Sequence, residues 1–286
     1  METGGGEVVA PADAGALVFG HHAAPDWLTD LLEDNPQLAW VQLPWAGIEP
    51  YVDVVRRFAD RTWTCGKGVY AEPVAEHALA LALAGFRRLH EFSRATTWTE
   101  GAGTNLLGAR VVILGGGGIT TSLLRLLEPF HCHVTVVRQT PAAMPGAAEV
   151  VGVDGLDAAL DGAQLLVLAL ALTPETVGLI DRARLERLDP GAWVVNVARG
   201  GHIVTDDLVA VLAEGRIGGA ALDVTDPEPL PPDHPLWTEP RCLITPHTAN
   251  TIAMAEPLLR DRVADNVRRW IAGDELIGYV DPAAGY

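Results

Sequence analysis

The sequence predicts an α/β protein of two domains, the second built around a doubly wound parallel sheet. Three observations lead there. Strand-length apolar runs alternate with helix-length segments along almost the whole chain. The runs of the second half are apolar without interruption, as strands covered on both faces must be. One of these runs opens directly into a glycine-rich turn followed by a helical segment. The length of 286 residues fits two domains at about 150 residues each.

The first fifteen residues, rich in Gly, Ala and Pro, read as frayed. Strands are expected at 16–20, 38–43 and 61–65, with helices at 24–34 and 49–59 between them. A long Ala/Leu-rich helix starts near Pro73, a residue suited to a first helical turn, and runs through 74–93 toward a glycine-rich break at 101–103. The domain boundary is placed beside that helix, at 92/93. Beyond it, strands are expected at 111–114, 134–137, 165–170, 193–197, 220–224 and 242–245. Six such strands suit a sheet of order 3-2-1-4-5-6. The final helix, 253–272, is amphipathic and Arg-rich, with Pro257 in its first turns or kinking it, and it is expected to return to the first domain.

Composition removes several function classes. The net charge is −17 and Lys67 is the sole lysine, so phosphate backbones and anionic lipid surfaces would repel the chain. Neither nucleic acid nor membrane is expected as a partner. The longest clean apolar run, 165–172, is far short of the roughly 20 residues of a membrane span. The N-terminus has no signal-peptide pattern, and the expected location is cytoplasmic. Cys65, Cys132 and Cys242 are too scattered for a disulfide framework or a zinc site and read as reduced thiols. His131-Cys132-His133 has no carboxylate nearby, so no metal is assigned. The serines, Ser93 and Ser122, sit in no nucleophile elbow, which removes serine hydrolysis.

The residues that carry chemistry lie where strands end. Strand 111–114 runs into Gly115-Gly116-Gly117-Gly118-Ile119-Thr120. Gly115 permits the tight turn, Gly117 lets the backbone approach a phosphate, and the following helix N-terminus offers unpaired N–H groups to a dinucleotide pyrophosphate. Thr120 replaces the third fingerprint glycine, and its methyl group is expected to push the helix slightly off the strand. At the end of the second strand, where an acid would select NAD, stands Arg138, with Gln139 and Thr140 as neutral donors behind it. A guanidinium there pairs with a 2′-phosphate, so NADP(H) is favoured and NAD(H) stays admissible. Arg199, Glu228 and His247 follow three successive strands, and their expected meeting place is beside the glycine loop. Asp223 reads either as a buried structural acid or as a modulator of the cofactor site. His77 reads as a satisfied histidine at the domain junction, and His21-His22 as a solvated loop.

From about residue 38 onward the chain resembles the D-isomer-specific 2-hydroxyacid dehydrogenases, nearest their glyoxylate/hydroxypyruvate reductase branch. The matching stretches are Val74-Ala75-Glu76-His77-Ala78, the loop 115–120, Leu172-Thr173-Pro174-Glu175-Thr176, Asn196-Val197-Ala198-Arg199-Gly200, Leu222-Asp223-Val224, Glu228-Pro229-Leu230 and Thr245-Pro246-His247. The resemblance implies two Rossmann-like or flavodoxin-like domains with the active site in the cleft between them. It implies as well that the substrate domain (1–92 with 256–286) is discontinuous, that the dinucleotide domain spans 93–255, and that the protein forms a homodimer. It further implies His247 as acid/base, Glu228 as its partner and Arg199 as the substrate's cation. The Trp45-Ala46-Gly47 turn becomes a second clamp on the substrate carboxylate. Besides the loop residues and Arg138-Gln139-Thr140, the implied cofactor contacts are Gly118, Ile119, Leu170, Ala171, Thr176, Val197, Ala198, Arg199, Asp223, His247 and Ala249.

Physical chemistry supports those roles. Reducing a 2-oxo acid needs a hydride at the carbonyl carbon and a proton at its oxygen, and imidazolium is suited to give that proton near neutral pH. Trp45 stands where the family more often has glycine, Cys65 replaces an asparagine and Ala171 a proline. The family's first βα unit has no counterpart ahead of residue 16, so either the small domain is a strand short or Met1 is not the natural start. Two rival readings stay open: a dinucleotide-binding regulator of corepressor type with little turnover, and another Rossmann-type enzyme such as a methyltransferase.

Overall fold

The computed structural model describes residues 1–20 and 24–283, so His21-His22 lies outside the described residues. The chain forms two compact units, Met1–Tyr70 with Thr251–Tyr286, and Ala71–Asn250.

In the first unit β1 (Ala16–Val18), β2 (Trp40–Gln42) and β3 (Thr62–Thr64) form a parallel sheet of order β1-β2-β3. The helices α1 (Pro25–Asp34) and α2 (Val52–Arg57) alternate with these strands. Leu28, Leu32, Val41, Val55 and Trp63 make its core. The last helix (Ile252–Ala272) contains Pro257 and returns to this sheet. Val263 and Val267 pack against Trp40. The buried Asn266 amide donates to Gln42 Oε1 at 3.0 Å, and Thr64 Oγ1 donates to the same oxygen at 2.8 Å. These buried polar groups are all mutually satisfied, which fixes how the last helix docks.

The second unit carries a seven-stranded parallel sheet. Its strands are β4 (Arg110–Leu114), β5 (His133–Val137), β6 (Glu149–Val151), β7 (Leu165–Leu168), β8 (Trp193–Asn196), β9 (Gly219–Leu222) and β10 (Cys242–Ile244), in the order β10-β9-β8-β7-β4-β5-β6. Alternate residues feed two separate cores. Val112, Leu114, Leu166, Leu168 and Val194 face one side, and Val111, Ile113, Leu165, Val167 and Val195 the other. That two-sided burial is why the strands read as unbroken apolar runs.

Three expectations need correction. The strand β6 is absent from the six predicted; it is three residues long, lies at the sheet edge and starts at the exposed Glu149, so it leaves no apolar run to read. With β6 as the third strand, β7 lies between β4 and β8, and Arg199, Glu228 and His247 follow the fifth, sixth and seventh strands. The boundary also moves, from 92 to 70 and from 255 to 250. The helix α3 (Ala71–Phe86) belongs to the second unit, because Ala75, Ala78, Leu81 and Ala82 join the core of Ile113, Leu123 and Val195. A Cβ on Gly85 would sit 2.3 Å from the Trp193 ring, so α3 lies directly on β8. The predicted single helix over 74–93 breaks after Phe86, where Arg88 takes a left-handed φ of 51° before the short α4 (Leu89–Phe92).

Candidate active site

Strand β4 delivers the chain to Gly115, whose φ is +102° and where a Cβ would lie 2.2 Å from the Ala169 carbonyl oxygen, so only glycine fits the turn. Helix α5 (Gly118–Leu127) follows with Gly117 as N-cap and no side-chain cap. A Cβ on Gly117 would meet nothing within 4 Å, so the outer face of the loop is open. Its first-turn N–H groups, Gly118 and Ile119 among them, have no intrahelical partners, and the helix dipole favours an anion there. These features fit a dinucleotide pyrophosphate. Thr120 is wholly buried, and its hydroxyl donates to the Gly115 carbonyl at 2.7 Å, so the departure from the fingerprint adds a bond as well as a methyl group.

Arg138 leaves β5 with its N–H bonded to Val151 O. Its side chain lies over the loop, since a Cβ on Gly116 would be 2.8 Å from its Cδ and Nε. Gln139 and Thr140 follow as exposed residues. The next loop, carrying Leu170 and Ala171, is tied by Thr176, whose hydroxyl donates to Ala171 O at 2.9 Å and accepts the Thr173 N–H at 2.8 Å. Behind it lies the buried His202, its ring nitrogens 3.1 Å from Thr176 O and 3.3 Å from Leu170 O. Burial pushes the His202 imidazole below its ordinary pKa.

Arg199 emerges from β8 through the buried Val197 and Ala198. The buried Asn196 pins this turn, accepting the Ala198 N–H at 3.0 Å and donating to Arg199 O at 2.9 Å. A Cβ on Gly200 would fall 1.9 Å from the Thr225 carbonyl carbon, so the Arg199 turn packs directly on the chain that leads to Glu228. Glu228 in turn meets His247: Oε1 lies 2.7 Å from Nδ1, and both side chains are about half exposed. With Nδ1 engaged by the carboxylate, Nε2 is left to exchange a proton with a ligand.

Asp223 organises the His247 turn. Its carbonyl accepts the His247 N–H at 2.8 Å, and its carboxylate accepts Thr248 N–H on Oδ1 at 2.8 Å and Ala249 N–H on Oδ2 at 3.0 Å. The Thr245 hydroxyl donates to Oδ1 at 2.6 Å. Burial alone would raise this carboxyl, but the donors outweigh it and hold the pKa at about 2. The ring Nε2 of His77 lies 3.1 Å from Thr245 Oγ1 and 3.3 Å from Asp223 Oδ1, so this histidine is a satisfied one. Sequence reasoning missed Asn196, Thr245 and His202. The one available signal was a polar residue at or just after the end of an apolar run.

Within the first unit, the Trp45-Ala46-Gly47 turn follows β2. Trp45 O accepts the Gly66 N–H at 2.9 Å, and its ring packs 5.9 Å from that of Tyr70. The Tyr70 hydroxyl donates to Pro44 O, and burial pushes its pKa up to about 12. Cys65 is buried with Sγ 3.7 Å from Ala46 O, and burial raises its thiol pKa too. Among the described residues, no three His, Cys, Asp or Glu side chains cluster as metal ligands, and none of the helices is long and apolar enough to cross a membrane.

Comparison with known proteins gives the family. Residues 77–249 match the D-isomer specific 2-hydroxyacid dehydrogenase, NAD binding domain, family. A relative in Corynebacterium melassecola, known as an uncharacterized protein in the proB 3′ region, is 38% identical over 295 residues, covering 100% of this chain and 95% of its own length. A D-isomer specific 2-hydroxyacid dehydrogenase from Xanthobacter autotrophicus Py2, solved with NADPH and MES, is 30% identical with a TM-score of 0.81, over 98% of this chain and 87% of that one. An NADPH-dependent glyoxylate/hydroxypyruvate reductase from Sinorhizobium meliloti, solved with NADP and sulfate, is 26% identical with a TM-score of 0.81, over 94% and 85%. The chain belongs to the D-isomer-specific 2-hydroxyacid dehydrogenase family and is an NAD(P)-dependent oxidoreductase.

Proposed function

We propose that this protein reduces a small 2-oxo acid, of the glyoxylate or hydroxypyruvate kind, to the D-2-hydroxy acid, with NADPH preferred over NADH. The observation that carries the reading is the 2.7 Å Glu228–His247 pair at a strand end of the sheet that also bears the glycine loop. Bound at that loop, the nicotinamide cofactor supplies the hydride for the carbonyl carbon. The Arg199 guanidinium pairs with the substrate carboxylate and polarises the carbonyl. His247, held by Glu228 through Nδ1, gives the proton from Nε2 to the carbonyl oxygen, and the Glu228 carboxylate favours the imidazolium that must be present beforehand.

The cofactor contacts proposed are Gly115, Gly117, Gly118, Ile119, Arg138, Gln139, Thr140, Leu170, Ala171, Thr176, Val197, Ala198, Asp223 and Ala249, with Arg199 and His247. Arg138 lying over the loop supports NADP(H), as do the NADPH and NADP held by the Xanthobacter and Sinorhizobium proteins. The Trp45-Ala46-Gly47 turn is, by family resemblance, a carboxylate-binding turn, and the bulk of Trp45 favours a short acid. We also place the protein in the cytoplasm, where its three free cysteines would stay reduced, and read it as a homodimer. The fully exposed Trp98 and the exposed Leu89 and Leu107 are apolar side chains that such an interface would cover.

The test is NADPH oxidation with glyoxylate, hydroxypyruvate, pyruvate and phenylpyruvate. The His247→Ala protein should lose roughly 10²–10⁴ in kcat while still binding NADPH. A variant as active as the parent removes His247 as the acid.

A further inference from the structure

The imidazole of His247 is presented from a left-handed backbone, φ +51°. A non-glycine residue keeps that conformation only where its surroundings impose it. Here the imposing contacts converge on Asp223, which takes the N–H groups of His247, Thr248 and Ala249. The turn is therefore only as well placed as the Asp223 carboxylate, and the question is what aims that group.

The answer lies in where protons must be. The Thr245 hydroxyl has a single proton, and Oγ1 is 2.6 Å from Asp223 Oδ1, a separation two acceptors cannot share without a hydrogen between them. Thr245 therefore spends its proton on Asp223 and faces His77 as an acceptor. His77 Nε2, 3.1 Å from Thr245 Oγ1, must then carry hydrogen, and the same nitrogen lies 3.3 Å from Asp223 Oδ1. His77 thus donates into a closed set of polar atoms from α3, a helix packed on α5 and β8 and separate in sequence from the strand ends that carry the other members.

We propose that His77 is a positioning residue. By orienting the Thr245 hydroxyl and the Asp223 carboxylate, it fixes the turn 245–249 and with it the direction of the His247 imidazole. Its kinetic consequence rests on the reading of His247 as proton donor; its structural consequence does not. A histidine that merely filled space beside α3 would be replaceable by any ring of like size.

The test compares His77→Phe, which keeps the ring and loses the donor, with His77→Gln, whose amide places an N–H near the position of Nε2. Thr245→Val breaks the same chain one link further on. In the absence of substrate, the backbone amides of Thr248 and Ala249 should exchange with deuterium at least about tenfold faster in His77→Phe and Thr245→Val, and at about the parent rate in His77→Gln. In turnover, His77→Phe should lose about tenfold or more in kcat, and His77→Gln should recover most of the loss. The double variant His77→Phe/Thr245→Val should be no worse than the poorer single one, because both sever one network. The proposal is overturned by a folded His77→Phe protein whose exchange at 248 and 249 matches the parent, or by a His77→Gln protein no better than His77→Phe. Should His77→Phe fail to fold, Thr245→Val set against His77→Gln decides the same point. A parent with no turnover on any 2-oxo acid would sink the dehydrogenase reading and leave the exchange comparison to judge His77.

Discussion

Replacing Asp223 by asparagine changes one oxygen to an amide nitrogen in a side chain only 2% exposed. The carboxyl is held at about 2 against an ordinary 3.8, despite a burial that alone would raise it. At 1.36 kcal/mol per unit, that difference corresponds to about 2 kcal/mol of folded-state stabilisation at neutral pH. An asparagine accepts on one side only. If its oxygen serves Thr245 and Thr248, its NH₂ confronts the Ala249 N–H, leaving a buried donor without a partner at a cost of about 1–3 kcal/mol. The expected loss is therefore about 2–4 kcal/mol, or roughly 5–15 °C in Tm for a unit of this size. The pH dependence has a definite sign. Because the folded-state pKa is depressed, the folded protein binds fewer protons than the unfolded chain between about pH 2 and 4. The contribution is whole above pH 4 and disappears as pH falls toward 2. Thermal scans of parent and Asp223→Asn from pH 7 to pH 2.5 should show the Tm gap narrowing across that acid window. A variant within about 2 °C of the parent at pH 7, or with a gap constant down to pH 2.5, would refute the view that Asp223 is the ionised anchor of the His247 turn.

Two further outcomes follow from the sites at Arg138 and Trp98. Arg138→Asp should shift the NADPH-to-NADH ratio of kcat/KM toward NADH by about ten- to a hundredfold, the worth of a charge-assisted hydrogen bond to a 2′-phosphate, and an unchanged ratio removes Arg138 from cofactor selection. Trp98→Glu should weaken self-association by roughly thirtyfold or more in sedimentation equilibrium if this tryptophan anchors a dimer, while an unchanged association constant would place the interface elsewhere.

How much of this was visible in the sequence depended on which neighbour each residue answers to. Strands such as β4, β7 and β8 announce themselves because both their faces are buried, which forces apolar residues at nearly every position. Strand β6 answers to one neighbour only, and three residues beginning with an exposed glutamate carry no such constraint. The helical nature of 71–86 was plain from its Ala/Leu content, but its allegiance was not. That is decided by close packing on Trp193, more than a hundred residues away, where a Cβ at position 85 would fall 2.3 Å from the ring, so glycine is demanded there and no local pattern is left.

The site divides in the same way. Arg199, Glu228 and His247 could be singled out because a charged or titratable side chain just past an apolar strand has few structural reasons to be there. The residues that aim them could not. Asn196 spends its side-chain hydrogen bonds on main-chain groups and Asp223 about half of its own, and no side-chain pattern reports where those groups lie. Thr245 and His77 face each other across 168 positions of chain. The ambiguity of Asp223 between structural acid and cofactor modulator was therefore built into the sequence. Its carboxylate is committed to donors from Thr245, Thr248, Ala249 and His77 within the protein. Whatever it does for a cofactor it must do with the capacity left over, most of which lies on Oδ2. The bound donors also make it unlike a free surface acid. A change in any of them alters the backbone that carries His247, so the same substitutions test the fold of this turn and the proton transfer proposed for it.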